Sequence, residues 1–373
     1  MIYLDYAANT PADEQVINTF SEVSREFIAN PNSTHKLGVL ASERLNESTR
    51  NIAEILEVSE NEIIFTSGAS ESNNAAIKGI AGQNKKYGKH IITTFLEHSS
   101  VNGAVGYLQN NGFEVDYVEI AQDGLVDLDN LKELLRNDTI LVSICYVDSE
   151  VGITQQINKI GEILKDFPHC YFHVDATQAV GKIPVSFENI DLVTLAPHKF
   201  YGLNGCGILI KKENVMLEPL IHGGISTTAF RSGTPALGMI VATEKALSLA
   251  YENLEQRYNY VKSLNEKLKN RLNKYSNVII NSNENSVPFI LNISITKVNT
   301  EQFKMELEGH DIYVSTKSAC CAPNTASRPV YALTKDRKRA LSTLRISLSH
   351  LTSENDIELF LVAFDKCYKK FAK

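Results

Sequence analysis

The chain has 373 residues, 43% hydrophobic and 22% charged, with a formal net charge of −7 at pH 7, which describes an ordinary globular protein long enough for two domains. The acidic balance argues against a nucleic-acid-binding surface, and no apolar run is long enough to span a membrane. The first residues do not resemble a signal peptide, and the six cysteines have no paired C-x-x-C spacing, so we expect a cytoplasmic protein with reduced thiols.

The first part of the chain predicts two helices followed by a candidate phosphate site. Helices are expected over 13–27 and 37–56, and a strand over 62–66 leads into the small-residue turn 67–74 and a helix over 75–80. This order presents free N–H groups and the positive end of a helix dipole, which suits a phosphate. An ordinary N-cap by Ser67 or Ser70 is an equally simple interpretation.

From residue 90 onward, strand and helix patterns alternate. The pattern predicts strands at 90–94, 114–118, 139–147, 171–174, 192–195 and 208–210, with helices at 99–110, 128–136 and 157–167. Such alternation predicts an α/β fold with a mostly parallel sheet and helices on both faces.

The C-terminal part predicts a smaller α+β unit. A long helix over 236–273 precedes strands at 288–294, 312–314 and 344–347 and helices at 300–309 and 353–371, the last opened by a Ser353–Asp356 pair resembling a capping box. We therefore expect a large domain over 12–255 and a small domain made of 1–11 and 256–373.

Ligand sites in parallel sheets lie beyond the carboxyl ends of the strands, and polar groups stand at four such ends. These groups are Glu97–His98, Asp148–Glu150, Asp175–Gln178 and His198–Lys199. A lysine there either extends to solvent or is kept desolvated for covalent chemistry, and Gly202, Gly205 and Gly207 would let the following loop approach a ligand. Lysine, carboxylate, histidine and a phosphate turn together indicate pyridoxal phosphate (PLP).

At these residues the chain resembles the NifS/IscS-like (group I) cysteine desulfurases of the class V aminotransferase group, which are fold type I PLP enzymes. The resemblance covers nearly the full length. Its matching segments are 3–8, 65–73, 89–93, 97–98, 138–143, 173–178, 198–199, 231–234 and 318–320.

By position, the resemblance implies that Lys199 holds PLP covalently, Asp175 pairs with the pyridinium nitrogen, and His98 stacks on the ring and transfers protons. It also implies contacts to the ring hydroxyl from Gln178 and Ser149. The implied phosphate contacts come from Ala69, Ser70 and His198, and from Thr234 of the partner subunit. The implied assembly is therefore a homodimer.

For the substrate, the resemblance implies that Arg345 binds the carboxylate of L-cysteine and that Cys320 is the nucleophile. The Cys320 thiolate would take the cysteine sulfur, leaving L-alanine and an enzyme persulfide. We expect Cys320 to lie on a mobile loop, with the Lys317 charge lowering its pKa. Cys321 is either a chance neighbour or a relay thiol.

The implied partners are L-cysteine and a sulfur-acceptor protein, either an iron–sulfur scaffold or a tRNA-thiolation enzyme. We expect no direct contact with nucleic acid or membrane. No resident metal is predicted, although a transient contact between Cys320 and an iron–sulfur cluster stays open.

Three departures from the family pattern keep alternatives open. Ser149 replaces an asparagine, and Ala196–Pro197 replaces Ser-Gly before His198. The segment from Gly223 to Arg231 departs from the usual Gly-Gly-Gly-Gln/His-Glu-x-x-x-Arg pattern of the family. One alternative is a related PLP lyase or aminotransferase acting on another amino acid, for example selenocysteine. Another is a catalytically weakened scaffold. Cys320 favours the desulfurase over the first, because transamination needs no nucleophilic thiol.

Overall fold

The computed structural model describes residues 1–317 and 325–371. Within them, the strands are Ile2–Tyr3 (β1), Ile63–Thr66 (β2), His90–Thr93 (β3), Glu114–Tyr117 (β4), Thr139–Cys145 (β5), Tyr171–Asp175 (β6), Leu192–Leu195 (β7), Gly207–Lys211 (β8), Val278–Ile280 (β9), Ile290–Ile295 (β10), Ile312–Tyr313 (β11) and Thr343–Ser347 (β12).

The α-helices of the same residues are Glu14–Glu26 (α1), Lys36–Ile55 (α2), Ala69–Asn84 (α3), Ser99–Asn110 (α4), Leu128–Leu134 (α5), Ile157–Leu164 (α6), Leu237–Glu252 (α7), Leu254–Leu272 (α8), Thr300–Glu308 (α9), Arg328–Thr334 (α10), Arg337–Leu341 (α11) and Glu354–Phe371 (α12). None of the described helices is both long and apolar enough to cross a membrane.

The largest sheet of the described residues has seven strands in the order β2-β8-β7-β6-β5-β3-β4. Strands β7, β6, β5, β3 and β4 are parallel, whereas β8 pairs antiparallel with both β7 and β2. All residues of β3, β5 and β7 are buried, as expected for central parallel strands covered on both faces. The predicted mostly parallel sheet is confirmed.

A second sheet, in the order β12-β10-β9, is antiparallel. The first residues of the chain join this region, because β1 pairs with β11 and Asp5 forms a bridge with Ser347 of β12. The main chains of Ser315 and Arg345 also pair there. The N-terminal segment therefore lies beside the C-terminal elements. The exact domain limits, 12–255 against 1–11 and 256–373, stay a prediction.

Several element boundaries differ from the sequence expectation. The single helix expected over 236–273 is two helices, because Asn253 between α7 and α8 has φ −118° and ψ 15°. Helix α3 begins at Ala69 instead of residue 75, and its first turns include the buried polar residues Ser72 and Asn73. The capping pair of α12 is confirmed: the Asp356 N–H donates to Ser353 Oγ at 3.1 Å, and the Ser353 N–H donates to Asp356 Oδ2 at 2.8 Å.

Candidate active site

The carboxyl ends of β5, β6 and β7 meet at one edge of the large sheet, where the structure has a cavity of about 370 Å³. Nine of the predicted site residues line this cavity: Ala69, Ser70, His98, Ser149, Asp175, Gln178, His198, Lys199 and Arg345. Thr234 instead lines a separate cavity of about 150 Å³ together with Ser67 and Arg231. Its proposed contact from a partner subunit stays a prediction. Cys320 and Cys321 lie outside the described residues.

Lys199 ends a 3₁₀ turn, Pro197–Lys199, that follows β7. Its Nζ donates to the carbonyl oxygens of Ala7 at 2.9 Å and Ala8 at 2.6 Å. The amine is therefore held inside the cavity by backbone acceptors of the N-terminal segment and does not extend to solvent. This geometry favours the covalent role over the alternative that we considered for a lysine at a strand end.

Asp175 is the last residue of β6 and is 6% exposed. Its Oδ2 accepts a hydrogen bond from Asn73 Nδ2 at 2.8 Å, and its Oδ1 accepts from the Thr177 N–H at 3.0 Å. These donors stabilise the ionised carboxylate and fix its orientation. Asn73 lies on α3, so the helix that starts the candidate phosphate turn also supports this carboxylate.

His98 is the N-cap of α4 and is held by Ser100. The Ser100 N–H lies 3.2 Å from His98 Nδ1 and can only donate, so the imidazole proton belongs on Nε2. Burial is the main cause that lowers the pKa of His98, with the Lys199 charge adding to it and Asp175 opposing it. The ring is therefore a neutral, flat group whose Nε2–H has only a long contact, 3.5 Å, to Ser99 Oγ.

The turn between β2 and α3 has the character of an anion site. The first N–H groups of an α-helix have no acceptor within the helix, and its N-terminus carries a partial positive charge. Ala69 and Ser70 occupy these first positions and line the cavity. The Glu71 carboxylate in the same turn is paired with Arg231 at 2.9 Å. That pairing offsets the negative charge that would otherwise oppose a phosphate.

His198 lies beside this turn, at the edge of the same cavity. Burial, and then the Lys199 charge, lower its pKa to about 4, so it is a neutral hydrogen-bonding group at ordinary pH. Ala196 is fully buried, and Pro197 is the first residue of the 3₁₀ turn.

Arg345 of β12 closes the cavity from the side of the second sheet. Its side chain is 1% exposed; Nη2 contacts Asp5 Oδ1 at 2.7 Å and Nη1 donates to the Ser149 carbonyl at 2.8 Å. Among the described residues, Nε has no hydrogen-bond partner. A buried guanidinium with an unused donor at a cavity wall is suited to binding a carboxylate.

The residues present fit PLP. The cavity combines an amine, a carboxylate, a neutral imidazole and a helix N-terminus, which match the aldehyde, pyridinium nitrogen, ring face and phosphate of this cofactor. Thr177 Oγ1 lines the same cavity and, like Arg345 Nε, is buried without a partner among the described residues. Buried polar atoms without partners are uncommon in folded proteins and are consistent with a site built for a polar ligand.

The expectation for the loop glycines changed in detail, whereas the expectation for Lys317 stays a prediction. Gly202, Gly205 and Gly207 are not among the described residues that line this cavity; Gly207 packs against Gly68, which does line it, and an added Cβ would lie 2.6 Å from the Gly68 Cα. The glycine is needed because β8 passes directly beside the turn after β2. Lys317 is buried, and its Nζ donates to Thr325 Oγ1 at 2.8 Å. Its predicted effect on the Cys320 pKa concerns a residue outside the described part.

The sequence reasoning missed residues that act through the ones it found. Asp5, Ala7 and Ala8 contact Arg345 or Lys199, and Asn73 contacts Asp175. All four belong to segments that matched the family pattern, so the sequence marked these residues as part of the pattern but did not indicate what each one contacts. Within residues 1–317 and 325–371, no group of three His, Cys, Asp or Glu side chains is placed to hold a metal ion.

Comparisons with known proteins identify the family of the chain. Residues 2–360 match the family model described as aminotransferase class-V. The chain is 38% identical over 380 residues to a NifS/IcsS protein homolog of Lactobacillus delbrueckii subsp. bulgaricus, covering 100% of this chain and 98% of that one.

It is also 39% identical over 367 residues to the cysteine desulfurase IscS of Buchnera aphidicola subsp. Baizongia pistaciae, covering 96% of this chain and 90% of that one. A solved structure of a NifS-like protein superposes with a TM-score of 0.93 at 34% identity over 99% of both chains. The predicted fold type I architecture is confirmed by this similarity.

Proposed function

The chain belongs to the class-V aminotransferase family and, within it, to the NifS/IscS-like cysteine desulfurases, and from that premise we propose how its residues share the reaction. It is a PLP-dependent cysteine desulfurase that mobilises sulfur from L-cysteine. The proposal concerns the role of each site residue, the persulfide on Cys320 and the acceptor of the sulfur.

The observation that carries the assignment is the convergence of Lys199, Asp175, His98 and Arg345 on one cavity. In our proposal, Lys199 holds PLP and the Asp175 carboxylate faces its ring nitrogen. When bound, PLP supplies an electron sink for bond changes at the cysteine Cα and Cβ. The phosphate is held by the N–H groups of Ala69 and Ser70 and by the His198 side chain. Thr234 of the partner subunit is a further donor.

The chain's own groups orient the substrate and move protons. Arg345 binds the cysteine carboxylate, and its contact to the Ser149 carbonyl keeps the guanidinium plane fixed while it does so. Lys199, once it no longer holds the cofactor, is the base that removes the Cα proton. The neutral His98 ring stacks on the cofactor, and its Nε2–H is positioned to exchange protons with the site.

In our proposal, Cys320 accepts the sulfur of the substrate cysteine. Its thiolate attacks the cysteine sulfur, so an S–S bond forms and the Cβ–S bond breaks, and the released electron pair at Cβ takes up a proton to become the methyl group of L-alanine. No external oxidant is needed, because the two-electron oxidation that forms the S–S bond is balanced by the two-electron reduction of Cβ from CH2–S to the methyl group. We propose that a sulfur-acceptor protein, an iron–sulfur scaffold or a tRNA-thiolation enzyme, then takes this sulfur, and that the enzyme works as a homodimer.

The test is incubation of the PLP-loaded protein with L-cysteine, followed by quantification of alanine and sulfide with and without a reductant. Cys320→Ser should keep the yellow colour and bind cysteine but release almost no sulfide, whereas the matched control Cys321→Ser should form persulfide normally. Mass spectrometry should find one added sulfur that is lost only in Cys320→Ser. Persulfide that persists in Cys320→Ser and vanishes in Cys321→Ser would assign the nucleophile to the neighbouring residue.

A further inference from the structure

A buried lysine lies behind the cofactor cavity, in a position that the proposed reaction does not use. Lys182 is 7% exposed, and its Nζ donates to Gln178 Oε1 at 2.6 Å. The other end of the same amide is also bonded, since Gln178 Nε2 donates to the Ala7 carbonyl at 2.9 Å. Gln178 itself lines the cavity.

These two contacts determine which way the Gln178 amide is turned. An ammonium group only donates hydrogen bonds, so the atom facing Lys182 must be the amide oxygen. A backbone carbonyl only accepts, so the atom facing Ala7 must be the amide nitrogen. Both partners therefore select the same orientation, and the second N–H of Nε2 remains available to the cavity that Gln178 lines.

We propose that Lys182 is a positioning residue that orients the Gln178 amide so that it presents an N–H, and not an oxygen, to the ring hydroxyl of bound PLP. This inference rests on the proposed function, in which Gln178 reaches that hydroxyl. A donor at this place stabilises the ionised oxygen of the ring, whereas an oxygen would repel it and accept a bond only from the protonated form.

The surroundings of Lys182 are consistent with this role. Burial, followed by the charges of Lys199 and Arg345, lowers its pKa to about 7. Below that pH the group is an ammonium, and its 2.6 Å contact to Gln178 Oε1 links it to the lining of the cavity. The Ala7 carbonyl is also an acceptor for Lys199, so Gln178 and Lys199 are held by the same oxygen.

The experiment is a spectroscopic pH titration of the PLP-loaded protein, which needs no turnover. The midpoint of the pH-dependent visible band reports the proton shared between the ring oxygen and its neighbour. Lys182→Met removes the donor while filling the space, and should raise the midpoint by about one pH unit. Lys182→Gln keeps a neutral donor for Gln178 Oε1, and should leave the midpoint within about 0.3 of the wild-type value.

A double variant separates orientation from a direct effect of the lysine. Gln178→Met should raise the midpoint by itself, and adding Lys182→Met should then change nothing further. Three results would overturn the inference. Lys182→Met could shift the midpoint equally in the Gln178→Met background, Lys182→Met alone could leave the midpoint unchanged, or Lys182→Gln could shift it as much as Lys182→Met does. A wild-type protein without any visible band after reconstitution would overturn the proposed function as well, so the two failures are distinct.

Discussion

The pair between Arg345 and Asp5 offers a test of how the substrate site is held together. Asp5→Ala would leave a guanidinium that is 1% exposed, with the Ser149 carbonyl bound to Nη1 and no carboxylate on Nη2. Removing one partner of a buried ion pair costs ~3–5 kcal/mol. Because the Asp5 side chain is 18% exposed, we expect the lower part of that range or slightly less, about 2–3 kcal/mol.

The free energy of unfolding is best measured on the cofactor-free protein by urea titration with far-UV circular dichroism, since the chain has no tryptophan. Asp5→Asn is the matched control, because its amide oxygen still accepts from Arg345 while the charge is lost, and we expect a loss of about 1 kcal/mol. Arg345→Met replaces the buried cation with an apolar side chain, and the Asp5 carboxylate then keeps its contact with Ser315 Oγ at 2.8 Å.

The double variant Asp5→Ala, Arg345→Met completes a cycle. Arg345→Met leaves no buried cation without a partner, so removal of Asp5 in that background should lower the free energy of unfolding by at least about 1 kcal/mol less than it does in the wild type. In the loaded enzyme, Asp5→Ala should also raise the KM for cysteine about tenfold, since loss of one oriented charge-assisted bond is worth ~1.5–3 kcal/mol. Additive unfolding energies in the cycle, together with an unchanged KM, would refute the view that Asp5 positions Arg345.

Three further predictions concern the cofactor, the assembly and pH. Ala196→Ser restores a hydroxyl before His198 and should slow PLP loss during dialysis several-fold; an unchanged rate would show that this departure does not weaken the site. Light scattering should give a dimer, and Thr234→Val should speed PLP loss if it reaches a partner's phosphate, whereas a fully active monomer would contradict the shared site. Burial, and then the charge of Arg257, lowers the pKa of His350 to about 4. As the pH falls from 6.5 to 4, the unfolded chain therefore takes up the proton before the folded protein does, and the free energy of unfolding declines. His350→Phe should make that decline less steep in urea titrations at several pH values.

The sequence predicted the large sheet and most of its site because the chemistry lies in side chains at strand ends. Asp175 is the last residue of β6 and Lys199 closely follows β7, and parallel strands necessarily bring such residues to one edge. The acceptors of Lys199 were not predicted, because a carbonyl oxygen is present at every residue and carries no sequence signature. The break at Asn253 was missed for a related reason, since an asparagine is tolerated within helices and only its backbone angles reveal the change of direction.

The glycines after Lys199 illustrate a second limit of sequence reasoning. A glycine indicates a close approach of the backbone, but not what approaches it. At Gly207 the neighbour is Gly68 of the adjacent turn, so the glycine serves strand packing behind the candidate phosphate site. Two nearby glycines therefore allow β2 and β8 to pair up to Thr66, three residues before α3 begins at Ala69.

The N-terminal segment explains why the two halves of the site are arranged as one unit. Its strand β1 pairs with β11 in the C-terminal region, and Asp5 contacts Arg345 there. Two residues further on, the Ala7 carbonyl accepts from both Lys199 and Gln178 on the large sheet. Because only Tyr6 separates Asp5, which contacts Arg345, from Ala7, which accepts from Lys199, a displacement of this segment changes both contacts together. The structure thus gives the first residues of the chain a positioning role that no side-chain motif expresses.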